Sequence, residues 1–242
     1  MPHAKRTRTL ESVLSRCRSK LTAWQVRALY LGAQTSTNVR LGFPNLMDRI
    51  FGPEPILGDD LDDANANLQA LVKTWNDLVA EGEAGPVRLS KMRLSDPPDV
   101  AELDALAERR AEEIIWFTRG LDAGGDDPKD FGPEAEELFR KLAEGGAFLE
   151  MYRELLRRTP EQKPSTLRES RGSLALLTRT LELIFSDLMT ISQELRRRAA
   201  EEIVRAHRRG GPRRSVRVGP REPCPCGSGR QWKRCCGAPT AH

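Results

Sequence analysis

Apolar residues along this chain recur at intervals of three and four rather than two, the period of a helix with one buried face. Thr22 suits the N-cap of a helix running to about Leu31, with Leu21, Val26, Leu29 and Tyr30 as its contacts, and Gly32 to Asn38 reads as a break. Pro44 opens a short helix through Leu46, Met47, Ile50 and Phe51. Asp59 to Asp63 place acids at a positive helix start, and Leu68, Leu71, Val72, Trp75, Leu78 and Val79 carry that helix onward. Residues 81–98, with two Gly and three Pro, form a connection expected to act as a hinge. A helix then runs from Asp99 to about Arg119 with Leu103, Leu106, Ile114 and Phe117 along one side, interrupted only by Arg110. Another opens at Pro133 and carries Leu138, Phe139, Leu142, Leu149, Tyr152 and Leu156, with Gly145-Gly146 as a bend or close contact.

The clearest periodicity comes last. Leu174, Leu177, Leu181, Ile184, Leu188, Ile191 and Leu195 alternate three and four apart, a heptad seam that would serve a homodimer. Leu176, Leu183, Phe185 and Met189 widen the stripe, which favours a central bundle helix over a two-stranded contact. The expected fold is an all-α helical bundle over residues 21–205, preceded by a basic segment (1–20). An Arg/Gly/Pro linker (206–222) and a small C-terminal zinc-binding motif (223–242) follow it.

Composition agrees and adds a charge map. Hydrophobic residues are 38% of 242 and aromatic residues only 5%, so the core must be built from aliphatic side chains on helices. The net charge of +4 hides segregation: residues 1–50 carry a net +7, residues 51–195 a net −13 and residues 196–242 a net +10. Basic ends on an acidic body point to polyanionic partners. No secretory signal is apparent, and Leu21 to Ala33, the best apolar run, is too short to span a bilayer, so a cytoplasmic protein is expected.

The chemistry-bearing stretch is Pro223-Cys-Pro-Cys-Gly-Ser-Gly-Arg-Gln-Trp-Lys-Arg-Cys-Cys-Gly237. Cys224, Cys226, Cys235 and Cys236 can supply four soft thiolates to one tetrahedral ion, with zinc the expected metal and iron the alternative. Arg230, Lys233 and Arg234 would offset the net negative charge of such a site. Disulfides or free thiols are the other readings, and disulfides are rare in a reducing compartment. Four protein ligands leave no open position for catalysis. Cys17 stands apart as a free, inert thiol.

The spacing C-x-C, eight residues, C-C within Cys-Pro-Cys-Gly-Ser-Gly…Cys-Cys-Gly resembles the SEC-C motif, the zinc-binding tail of the SecA translocation ATPase and of several other bacterial proteins. The resemblance implies that the four cysteines are the ligands, with Trp232 at the family's aromatic position. Such tails contact the acidic chaperone SecB, lipid head groups or ribosomes, so Arg230, Trp232, Lys233 and Arg234 are the implied partner-binding residues. A weaker likeness covers residues 20–195: Trp116-Phe117-Thr118-Arg119-Gly120-Leu121, between acidic helical segments, is similar to the middle of YecA/YgfB-type helical proteins.

Catalytic constellations are not apparent. The chain has no phosphate-binding Gly-rich loop, and His3, His207 and His242 lie away from carboxylates and nucleophiles. Ser228 suits a turn. Glu112-Glu113 and Glu136-Glu137 read as solvated helix faces. The expected function is therefore non-enzymatic: a zinc-folded basic tail docking on a ribosome, a SecB-like chaperone or another polyanionic surface, accessory to protein biogenesis. The alternative is a metal carrier or dimeric helical adaptor whose tail is only a staple.

Overall fold

A computed structural model describes residues 8–38, 43–209 and 230–232, the side chains of residues 207–209 excepted. The described chain is all-α: α1 (Leu10–Arg16), α2 (Ala23–Thr35), α3 (Met47–Phe51), α4 (Leu61–Ala84), α5 (Val100–Asp122), α6 (Pro133–Arg158) and α7 (Pro164–Arg209), with short 3-10 turns at Phe43–Leu46 and Pro128–Phe131. Contacts divide it into one unit over Met1–Arg197 and a second over Arg198–His242.

Local chemistry starts these helices where expected. Thr22 and Gln25 form a capping box on α2, as do Asp99 and Glu102 on α5, so side chains satisfy amide groups left over at each first turn. Asp60 caps α4 by accepting from the Asp63 amide. α2 extends through Thr35, past the break expected at Gly32, because that glycine is where α5 crosses.

α2 and α5 run in the same direction and touch backbone to backbone. A Cβ on Gly32 would sit on the Phe117 carbonyl, and a Cβ on Gly120 would lie 2.6 Å from the Ala33 nitrogen and 2.9 Å from the Gly32 Cα. Only glycine at both positions permits this approach. Behind the crossing, Phe117 stacks on Phe185 of α7 at 4.1 Å, and Tyr30 meets Phe43 and Trp75 edge-on at 6.1 and 5.3 Å.

Several expectations change. The segment 1–20 is more than a basic lead-in, since Leu10, Val13 and Leu14 of α1 are buried in the common core. Of the bend or close contact expected at Gly145-Gly146, the bend is not seen, since α6 is continuous there, and a Cβ on Gly145 would meet the Leu181 side chain of α7 at 3.4 Å, an ordinary contact. The heptad seam faces the chain's own core: Leu174, Leu181, Ile184 and Leu188 are buried, with Leu177, Ile191 and Leu195 packed against them. A dimer through that seam would have to displace the interior. α7 also continues through Arg209, taking in the first residues assigned to the linker.

The expected hinge at 81–98 is a strap. α4 runs to Ala84, and beyond it the chain is extended with Val87 and Leu89 buried. Among the described residues no neighbouring strand serves its backbone. Side chains do: the amides of Val87, Leu89 and Ser90 donate to Ser186 Oγ, Glu182 Oε1 and Glu113 Oε1 at 2.9, 3.0 and 3.0 Å. The carbonyls of Arg88, Ser90 and Lys91 accept from Arg27, Arg110 and Arg109. An extended segment inside a helical protein has to find its hydrogen bonds in this way, because a buried unpaired backbone group is costly.

Candidate functional site

The strap organises a polar cluster in the interior. Arg110 and Glu113, one turn apart on α5, are 4% and 2% exposed and pair directly. Arg110 also donates to the Ser90 carbonyl at 2.5 Å and to Thr178 Oγ1 at 3.2 Å, while Glu113 accepts from the Ser90 amide and hydroxyl. Glu182 of α7, also buried, accepts from Arg88 and from the Leu89 amide. Glu113 is thus not on a solvated face. Glu112 accepts from Gln25 Nε2, and Glu136 and Glu137 are exposed as expected. The donors and acceptors close on one another and on backbone, which is the chemistry of a structural lock.

A second polar knot lies where α2 and α5 end side by side. Arg196 donates to the Gln34 carbonyl at 2.9 Å, and Ser192 Oγ donates to the Ser36 carbonyl at 3.2 Å. Asp126 accepts from the Thr37 amide at 3.0 Å and from its hydroxyl. Burial holds the Arg196 guanidinium below its ordinary pKa. The first arginine of the Arg196-Arg197-Arg198 run thus works as a C-terminal cap for α2.

Cys17 is a free thiol, partly buried, within reach of the Leu57 carbonyl and Asn67 Nδ2 at 3.6 and 3.7 Å. Burial pushes its pKa up, with nearby Asp63 adding to the effect. A thiol held protonated is a poor nucleophile, in keeping with the inert role expected for it. Asp63 itself is held below the usual carboxylate range by hydrogen bonds from Arg8 and Arg16.

The expected metal ligands Cys224, Cys226, Cys235 and Cys236, with Lys233, Arg234, Ser228, His3 and His242, lie outside the described residues. Of the expected partner-binding set, Arg230 is exposed and Trp232 partly buried. Among the described residues no cluster of three His, Cys, Asp or Glu is arranged to hold a metal, and no helix is long and apolar enough to cross a membrane.

What decides the identity of the tail is therefore the sequence run itself. Residues 221–238 match the SEC-C motif. The match takes in all four clustered cysteines and Arg230 to Arg234, and it leaves the helical body unassigned. Comparison with curated proteins and with solved structures gave no match. The likeness of residues 20–195 to YecA/YgfB-type proteins rests on the order of sequence features alone. As a donor set, the four thiolates of the SEC-C motif suit one zinc ion.

Proposed function

We propose that this chain is a non-enzymatic, cytoplasmic metal-binding protein whose SEC-C tail, folded by zinc on Cys224, Cys226, Cys235 and Cys236, docks on a macromolecular polyanion. The partner class is a ribosome, an acidic SecB-like chaperone or another surface of that charge, and the role is accessory to protein biogenesis. The observation that carries this reading is the position of the motif: residues 221–238 fall within a terminal region of net +10. A metal-ordered turn would hold Arg230, Trp232, Lys233 and Arg234 as fixed cations around one aromatic ring, and fixed cations gain affinity by releasing counterions.

The body supports a scaffold rather than an enzyme. The buried Arg110 and Glu113 pair with each other, and capping boxes start α2 and α5. The test is a pull-down from cell extract with wild type and Cys235→Ser/Cys236→Ser, at low and high salt, alongside metal analysis of the purified protein. One zinc per chain and a salt-sensitive partner lost in the variant are expected. Equal capture by both proteins would refute the docking role.

A further inference from the structure

Five of the large apolar side chains that the body leaves in water fall on one face. Phe148, Met151 and Leu155 of α6 and Leu176 and Leu183 of α7 are each 43–69% exposed. The two helices form an antiparallel hairpin joined through residues 159–163, and a Cβ on Gly145 would meet the Leu181 and Leu177 side chains at 3.4 and 4.0 Å. At about 100° per residue, Phe148, Met151 and Leu155 fall on the flank of α6 that Gly145 turns toward α7. Leu176 and Leu183 fall on the flank of α7 that Leu177 turns toward α6, so the exposed flanks adjoin. Both leucines were expected to widen the buried seam. They form instead a second stripe on α7, with Ser173 and Thr180 at intervals of three and four. The two intervening hydroxyls donate to the Glu169 and Leu176 carbonyls one turn back, at 3.2 and 3.1 Å, and so need no polar partner from outside. On α6 the Phe148 ring stacks along Tyr152 at 6.2 Å, which holds it in place on the surface.

We infer that this face pairs with the same face of a second copy of the chain about a two-fold axis, joining two α6/α7 hairpins in a four-helix contact. Taking about 200 Å² for a residue of this size, the five leave on the order of 550 Å² in water. That is near the top of the roughly 300–600 Å² patch that a monomer ordinarily shows. With the exposed Ala147, Ser173 and Thr180 beside them, the face approaches the roughly 800 Å² that each partner gives to a stable pair. Charge separates the possible occupants. Residues 51–195 carry a net −13 and as a whole would repel a copy, but the charges bordering this face are neutralised within the chain. Arg140 pairs with Glu137 and Glu144, Lys141 with Glu137, and Arg158 with Glu154. A border whose signs cancel admits its own copy without repulsion, whereas an anionic bilayer selects apolar faces flanked by Lys and Arg. If the tail docks as proposed, such a pair would bring two tails to one polyanion and gain by bivalency; the pairing itself does not rest on that docking.

The experiment measures the mass of the full chain by sedimentation equilibrium, in reducing buffer, over a range of micromolar concentrations. A reversible dimer of the 27.1 kDa chain is expected. Leu176→Glu/Leu183→Glu on α7 and Met151→Glu on α6 should each weaken pairing at least roughly thirtyfold, as for residues central to an interface, while the far-UV circular dichroism per residue stays that of wild type because all three positions are exposed. Leu61→Glu, at an exposed position of α4, and Cys235→Ser/Cys236→Ser should pair as wild type does. A wild type that stays monomeric at every concentration would overturn the inference. A dimer that survives both face variants, or that is lost in the cysteine variant, would place the contact elsewhere and overturn it as well. A monomeric wild type that binds phosphatidylcholine vesicles, with binding lost in the face variants, would make the face a lipid surface and overturn the pairing.

Discussion

Replacing Gly120 by Ala tests the parallel α2/α5 crossing, on which the whole body is assembled. The added methyl would point at the Leu29 carbonyl and lie 2.6 Å from the Ala33 nitrogen, where ordinary contact begins at 3.4 Å. These obstacles are helix backbone, so no rotamer change can relieve them and the two helices must part. Overpacking costs about 1–3 kcal/mol when side chains can yield, and a rigid obstacle puts this site at or above the top of that range. Alanine returns about 1 kcal/mol of helix propensity. The net expectation is a loss of about 2–3 kcal/mol. Gly172 of α7 supplies the control, being exposed with nothing within 4 Å of a Cβ; there the same change should stabilise by about 0.5–1 kcal/mol. Urea unfolding followed by far-UV circular dichroism reads both. Opposite signs are expected, and a Gly120→Ala protein within about 0.5 kcal/mol of wild type would show that the helices do not approach as closely as described.

Three other outcomes follow from the interior and the tail. Arg110→Met strands the buried Glu113 carboxylate and should cost about 3–5 kcal/mol, whereas Arg110→Met/Glu113→Leu should recover part of it; a double-mutant cycle in urea shows whether the pair is coupled. The chain has two tyrosines, and burial raises the pKa of both Tyr30 and Tyr152, so the folded state favours the neutral phenol. That preference contributes fully below the ordinary tyrosine value near 10 and is lost as pH rises toward the folded values; ultraviolet titration should show tyrosinate appearing above that value and together with unfolding. If the motif holds a metal as proposed, chelation or Cys224→Ser should change amide signals within 221–238 while leaving the melting of the helical body within about 1 °C, because the chain divides into two compact units each with its own contacts; a large shift in body melting would refute this independence.

How much of this was legible beforehand depends on the range of the interactions involved. The SEC-C match and the helix starts at Thr22, Asp60 and Asp99 are properties of neighbours in sequence, where ligand spacing and capping chemistry act over a few residues. The three-and-four periodicity likewise marked which face of each helix turns inward. Glu113 could not be told from Glu112 in the same way. They are adjacent on one helix, and what separates them is whether a distant strap brings Ser90 over one and Gln25 meets the other.

The strap shows the same limit from the other direction. Gly and Pro in residues 81–98 signal that a helix cannot continue, and that much the sequence determined by itself, since these residues restrict backbone geometry wherever they stand. Whether the resulting segment swings or is tied down was decided only by the tertiary structure. Ser186 and Glu182 lie more than ninety residues away and hold its amides, and the Gly32–Gly120 crossing lets α2 and α5 deliver Arg27, Arg109 and Arg110 to its carbonyls. Hydrogen bonds between groups so far apart along the chain depend on how helices pack, and packing is a property of the assembled core that no local pattern encodes.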